Sequence, residues 1–185
     1  MKSYYELPYN NTDLISVQIL DYLKHNTSLL TRKPDVPWNF LNRDSVLESA
    51  PILLDFFKQY KLIPRDISVT VLYEDLALHY DTPPVVAKVN FPILNTANSV
   101  NRWYTISDED FQRLPRIADP FGREHEDVSQ LPNDRLTLFG EYYGMTNPIV
   151  FHSRIPHEVI LLENAVTPRI VLSCTFHNEP IHYLE

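Results

Sequence analysis

Residues 67–76 read ISVTVLYEDL, an alternating run rich in β-branched side chains, and the pattern predicts a strand with one buried face. The character of the chain changes near residue 66. Before it, the periodicity is helical. Residues 12–25, TDLISVQILDYLKH, place Ile15, Ile19, Tyr22 and Leu23 on one face, with Asn11 or Thr12 positioned to cap the first turn. Residues 26–43 carry Pro34 and Pro37 and read as irregular. Residues 50–60, APILLDFFKQY, predict a second helix, with Pro51 near its first turn, where a missing N–H costs little. After residue 66 come six further strand-like runs: VVAKVNFPIL (85–94), NRWYTI (101–106), RLTLFGEYY (135–143), PIVFHS (148–153), HEVILLE (157–163) and RIVLSCTF (169–176). Clusters of Pro, Asn and Asp separate them. Residues 107–134 are acidic and polar and read as a long surface loop. The expected fold is mainly β: a double-stranded β-helix (a jelly roll of cupin-like type) with N-terminal helices packed on one sheet. One domain is expected over residues 1–185, with a helical N-terminal part at 1–65 and the jelly-roll core at 66–176.

Composition narrows the function. A length of 185 residues gives one domain room for a core, and 44% hydrophobic with 12% aromatic content excludes a disordered chain. The net charge of −8 and the lack of any Lys/Arg block argue against a nucleic-acid partner, whose phosphates need neutralising. A single cysteine, Cys174, forbids an internal disulfide and fits a reducing compartment; within its apolar strand it is expected to be inert. The opening MKSYYELPYN lacks the apolar core of a signal peptide, and no apolar run reaches the length of a membrane span. A cytoplasmic protein without a membrane partner is therefore expected. Three glycines against fifteen prolines leave the turns to Pro, Asn and Asp and disfavour a glycine-looped phosphate binder.

Four residues carry the chemistry. His79 and Asp81, in LHYD, lie two apart, so in an extended segment both side chains point to one side. Imidazole and carboxylate together suit Fe, Mn, Ni or Zn. Alone, such a pair also reads as a strand end followed by the turn DTPP. His157 opens an apolar strand in IPHEV, and Arg169 follows it by twelve residues in PRIVLS. A guanidinium in a buried strand needs an acidic partner, either a protein carboxylate or a bound organic acid. Two histidines and one carboxylate hold a metal on one face and leave the opposite positions open. Arg169, Val171 and Ser173 share a face, so Ser173 is expected to add a hydroxyl beside the guanidinium. Lys88 and Asn90 share a face of AKVNFPIL, and antiparallel pairing after the DTPPV turn would bring that strand to the metal. Asn90 is then a candidate co-substrate contact, and Lys88 reads as a solvent-facing residue. Trp103 and Tyr104 read as core or rim aromatics. Of the two late histidines, His157 is the better ligand, and His152 reads as a rim residue ending the strand before it.

With LHYD, AKVNFPIL, NRWY, IPHEV and PRIVLS in view, the chain resembles the Fe(II)/2-oxoglutarate-dependent oxygenases over roughly residues 70–176, and within them the aspartyl/asparaginyl β-hydroxylase-like branch. The resemblance implies that His79, Asp81 and His157 bind Fe(II), and that Arg169 salt-bridges the distal carboxylate of 2-oxoglutarate. Asn90 and Ser173 are the further co-substrate contacts. It implies a dioxygenase that uses O2 to hydroxylate a small molecule or peptide. Two features bear on this. Many relatives have a serine two residues after the arginine, where this chain has Val171. Asp81 favours a hydroxylase over a halogenase, because a halide needs the carboxylate's position. The alternatives are a cupin-like metal enzyme that does not use 2-oxoglutarate, and a non-catalytic jelly-roll binding protein.

Overall fold

The computed structural model describes residues 2–31, 37–81, 84–118, 122 and 124–185, and for His125 the backbone alone. In chain order the elements are β1 (Tyr4–Glu6), α1 (Thr12–His25), β2 (Trp38–Phe40), α2 (Arg43–Ser49), α3 (Ile52–Gln59), β3 (Pro64–Leu72), β4 (Leu76–His79), β5 (Ala87–Leu94), β6 (Ser99–Thr105), α4 (Asp108–Arg113), β7 (Arg116–Ala118), β8 (Glu124–Glu126), β9 (Thr137–Tyr143), β10 (Ile149–His152), β11 (His157–Leu161) and β12 (Arg169–Phe176). Among the described residues, six strands form a large sheet in the order β1-β10-β5-β12-β3-β2, and four form a smaller one in the order β4-β11-β6-β9. All pairings in both sheets are antiparallel. The two sheets face one another as a jelly roll, with helices on the outside of the large one. Expectation and structure agree on this architecture.

The helical layer exists because the outer face of the large sheet is apolar. Along β12, Ile170, Leu172, Cys174 and Phe176 join the cluster beneath the helices, whereas Arg169, Val171 and Ser173 face the space between the sheets. From the helices, Ile15, Ile19 and Leu23 of α1 and Leu53, Phe56 and Phe57 of α3 complete that outer cluster. Burying each such side chain contributes about 1.5–3 kcal/mol. The Phe91 ring meets Phe56 at 4.8 Å and Phe57 at 6.3 Å, both edge-on. A second cluster fills one part of the space between the sheets. It joins Trp103, Tyr142, Met145, Ile149, Phe151 and Val171, with Tyr4 stacked 5.2 Å from Trp103. Elsewhere that space stays open.

Several local expectations differ from the structure. The N-terminal part is not purely helical, since β1 pairs with β10 and β2 with β3, closing both edges of the large sheet. Three-residue strands are too short to show a period. Helix α2 lies within a stretch with no apolar stripe, burying only Val46, and is capped by Asn42, whose side chain accepts from the Ser45 N–H. The α1 N-cap is Asn11, without a side-chain bond, while the Thr12 hydroxyl donates to Tyr9 O. The run ISVTVLYEDL is divided: β3 ends at Leu72, and β4 belongs to the opposite sheet. The Asp75 carboxylate accepts from the Leu161 N–H at 2.7 Å and ties this corner to β11. The stretch 107–134 contains α4, capped by Ser107, and the β7–β8 hairpin. Pro34, the Thr82–Pro83 part of the expected turn, residues 119–121 and 123, and the His125 side chain lie outside the described residues.

Two outcomes follow from this packing. Phe91→Ala should cost about 3–5 kcal/mol of stability in urea denaturation, and a loss under about 1 kcal/mol would mean that the helices do not depend on the large sheet. Cys174 is fully buried and its thiol is pushed far up by burial. It should react with a thiol reagent only at the rate of global unfolding, as followed by Ellman titration with increasing urea.

Candidate metal centre

His79 closes β4 and His157 opens β11, and the two are direct antiparallel partners. Their ring centroids lie 4.3 Å apart. Asp81 follows two residues after His79, held in place where its N–H donates to Ser153 O. One donor atom from each of the three lies within 4.8 Å of the others. In both histidines Nδ1 sits 2.8 Å from a carbonyl oxygen two residues earlier, Ala77 O for His79 and Ile155 O for His157. A carbonyl only accepts, so Nδ1 carries the proton, and the lone pair of the neutral ring lies on Nε2. This is the tautomer a metal requires.

Charge states agree with the geometry. Burial, and next the neighbouring His79, drive the His157 pKa down to about 3, so its imidazole is neutral. Burial pushes the Asp81 carboxyl up, but the charges around it, the Lys88 ammonium first, outweigh burial and hold it below its ordinary value, so it is ionised. Asp81 Oδ1 is 2.6 Å from Lys88 Nζ. Asp81 Oδ2 is buried, lies 3.8 Å from His157 Nε2, and has no hydrogen-bond partner among the described residues. An orphaned carboxylate oxygen beside imidazole lone pairs fits a divalent cation.

Arg169 enters the same space from the facing sheet. It is 2% exposed. Its Nε donates to Ser99 Oγ at 2.9 Å and its Nη2 to Asn101 Oδ1 at 3.3 Å. Burial alone lowers its pKa to about 10, so it remains a cation, and among the described residues no carboxylate pairs with it. Asn90 Oδ1 and Asn101 Nδ2 are also buried with no hydrogen-bond partner among the described residues. His79, Asp81, Asn90, His157, Arg169 and Ser173 all line one cavity of about 610 Å³.

Three points were read differently from the sequence. Lys88 is not solvent-facing; it lines the cavity and bonds Asp81. No β4–β5 pairing brings Lys88 and Asn90 to the cluster, because the two strands belong to opposite sheets that meet face to face, as do those of His157 and Arg169. Ser173 pairs in register with Ser68 and Asn90, roughly 13 Å of strand from Arg169. The hydroxyl that touches the guanidinium is that of Ser99. Ser99 and Asn101 were missed; their only signal is alternation along β6, which also aims Trp103 inward. His152 ends β10, beside Ile181 and Leu184, away from the cluster.

Fold and site together define a double-stranded β-helix with a His-x-Asp…His cluster at the mouth between its sheets. No family model matches the sequence, and no curated protein matches it. Solved structures do match in fold. One is the epimerase SnoN in complex with Fe3+, alpha ketoglutarate and nogalamycin RO, at 10% identity, covering 94% of this chain and 78% of that one, with a TM-score of 0.52. Another is the non-heme alpha ketoglutarate dependent carbocyclase SnoK from nogalamycin biosynthesis, at 10% identity, covering 99% and 86%, with a TM-score of 0.50. EvdMO1 matches at 9% identity, covering 96% and 48%, with a TM-score of 0.52.

A buried cation without an ionic partner is a stability cost. Arg169→Leu should therefore raise the stability of the metal-free protein by about 1 kcal/mol or more in urea unfolding. A loss of that size would show that the bonds to Ser99 and Asn101 outweigh the desolvation of the charge.

Proposed function

We propose that this protein is an Fe(II)- and 2-oxoglutarate-dependent dioxygenase that hydroxylates a small molecule or peptide. The observation that carries the reading is Arg169, a buried cation with no carboxylate partner among the described residues, facing the cavity that also holds His79, Asp81 and His157. A cupin-like metal enzyme that does not use 2-oxoglutarate has no need of that cation. The ligands named for SnoN and SnoK support the reading, as does the chemistry of the three donors. The motifs LHYD, IPHEV and PRIVLS favour the aspartyl/asparaginyl β-hydroxylase-like branch, and the lone free cysteine favours a cytoplasmic setting. Among the described residues no helix is long and apolar enough to cross a membrane.

In this reading His79 Nε2, His157 Nε2 and Asp81 Oδ2 hold the iron. Iron with 2-oxoglutarate and O2 supplies the C–H oxidation when bound. The protein's own work is positioning. Ala77 O and Ile155 O fix the two imidazoles. Ser99 and Asn101 hold the guanidinium so that its remaining N–H groups can take a carboxylate, with Asn90 and Ser173 as further polar contacts. Trp103 and Phe151 wall the site and keep it dry.

Anaerobic titration of Fe(II) with 2-oxoglutarate, followed through the visible charge-transfer band of the chelate, tests the reading. His157→Ala should lose iron binding, and His152→Ala should keep it. Arg169→Leu should bind iron but need at least roughly 30-fold more 2-oxoglutarate to develop the band. Unchanged 2-oxoglutarate affinity in Arg169→Leu would favour the cupin-like alternative, and reversed behaviour of the two histidine variants would overturn the ligand assignment.

A further inference from the structure

Lys88 has no role in that scheme, yet among the described cavity residues it makes the shortest ion pair, 2.6 Å from Nζ to Asp81 Oδ1, with both side chains largely buried. It projects from β5 in the large sheet and reaches across to Asp81, beyond β4 of the small sheet. The two carboxylate oxygens are thereby divided. Oδ1 is held by an ammonium, and Oδ2 is turned toward His157 without a partner. A dication held at Oδ2 would share a single anion with that ammonium.

The charge balance of the inner cavity makes this sharing consequential. Lys88 and Arg169 are cations and Asp81 is an anion, and a histidine that gives Nε2 to a metal adds no charge. The other charged groups on the cavity wall are turned to partners of their own. Arg65 pairs with Asp66 at 3.0 Å, and Glu158 accepts from the Tyr104 hydroxyl on the far face of β11. Among the described residues, two cations against one anion leave a net charge of one positive, and a dication raises it to three. At separations of a few ångströms in a site of reduced dielectric, that repulsion is large. A dicarboxylate entering the cavity supplies two negative charges and relieves it.

We infer that Lys88 couples metal occupancy to anion occupancy: it opposes a lone dication at Asp81 and admits it once a dianionic acid is present. The inference rests on the metal and acid sites of the proposed function. Because coupling between two sites is reciprocal, the metal must favour the acid by the same factor as the acid favours the metal. Such a residue would keep the protein from holding a redox-active metal without its co-substrate. Lys88 acts here as a positioning residue and takes no part in the chemistry.

The test is calorimetric titration with Mn2+, an oxidation-resistant stand-in for Fe(II), with and without saturating 2-oxoglutarate. It compares wild type, Lys88→Met and Lys88→Gln, each checked for fold by circular dichroism. Lys88→Gln keeps a hydrogen-bond donor to Asp81 without the charge, and covers the case in which Lys88→Met does not fold. Both variants should bind Mn2+ alone at least roughly tenfold more tightly than wild type. The gain in Mn2+ affinity on adding 2-oxoglutarate should shrink by a similar factor. Unchanged or weaker Mn2+ binding in the folded variants overturns the inference, because Lys88 would then merely orient or neutralise Asp81. Absence of Mn2+ binding to wild type even with 2-oxoglutarate overturns the metal site itself, and this inference with it.

Discussion

Strand β12 is buried on both faces, and the rest of the structure answers to that constraint. An apolar outer face of Ile170, Leu172, Cys174 and Phe176 cannot stand in water, so α1 and α3 must cover it. The inner face cannot be apolar throughout, because Arg169 and Ser173 alternate with Val171 along it. The small sheet closes over this mixed face. It packs tightly where Trp103, Tyr142 and Phe151 meet, and leaves a cavity where the polar residues lie. The helical layer thus frees the inner face for chemistry by carrying much of the stabilising apolar burial on the other side.

Two features of the cavity run against stability. Among the described residues, a guanidinium is buried with only neutral acceptors, and several polar atoms have no hydrogen-bond partner: Asp81 Oδ2, Asn90 Oδ1, Asn101 Nδ2 and Trp103 Nε1. Each unsatisfied buried polar group costs about 1–3 kcal/mol. Native chains retain such costs mainly at functional sites, where a ligand removes them. Their gathering around one cavity is why a bound metal and a bound acid explain the site better than a purely structural role.

The histidines show how local geometry prepares a ligand set. In each, Nδ1 reaches the carbonyl two residues earlier, so the ring's tautomer and tilt are set by its own chain. Asp81 is set differently, by a residue of the facing sheet. Its carboxylate is aimed only when β4 and β5 come together, and Lys88 therefore ties the His79–Asp81–His157 cluster to the closure of the fold.

Much of this was legible in the sequence. The period-two runs after residue 66, the His-x-Asp pair, His157 ahead of an apolar strand and Arg169 inside one are local patterns, and local sterics and burial impose them wherever the strand ends up. What the sequence could not disclose is which sheet each strand joins. The run at 67–76 reads continuously, yet it divides after Leu72, and the strand that follows carries His79 into the sheet opposite β3. The partners that depend on that choice were hidden for the same reason: Ser99 and Asn101 for Arg169, and Lys88 for Asp81. Alternation tells which side chains share a face of one strand. Which face they confront depends on pairings and sheet contacts between residues far apart in the chain, and only the folded structure decides those.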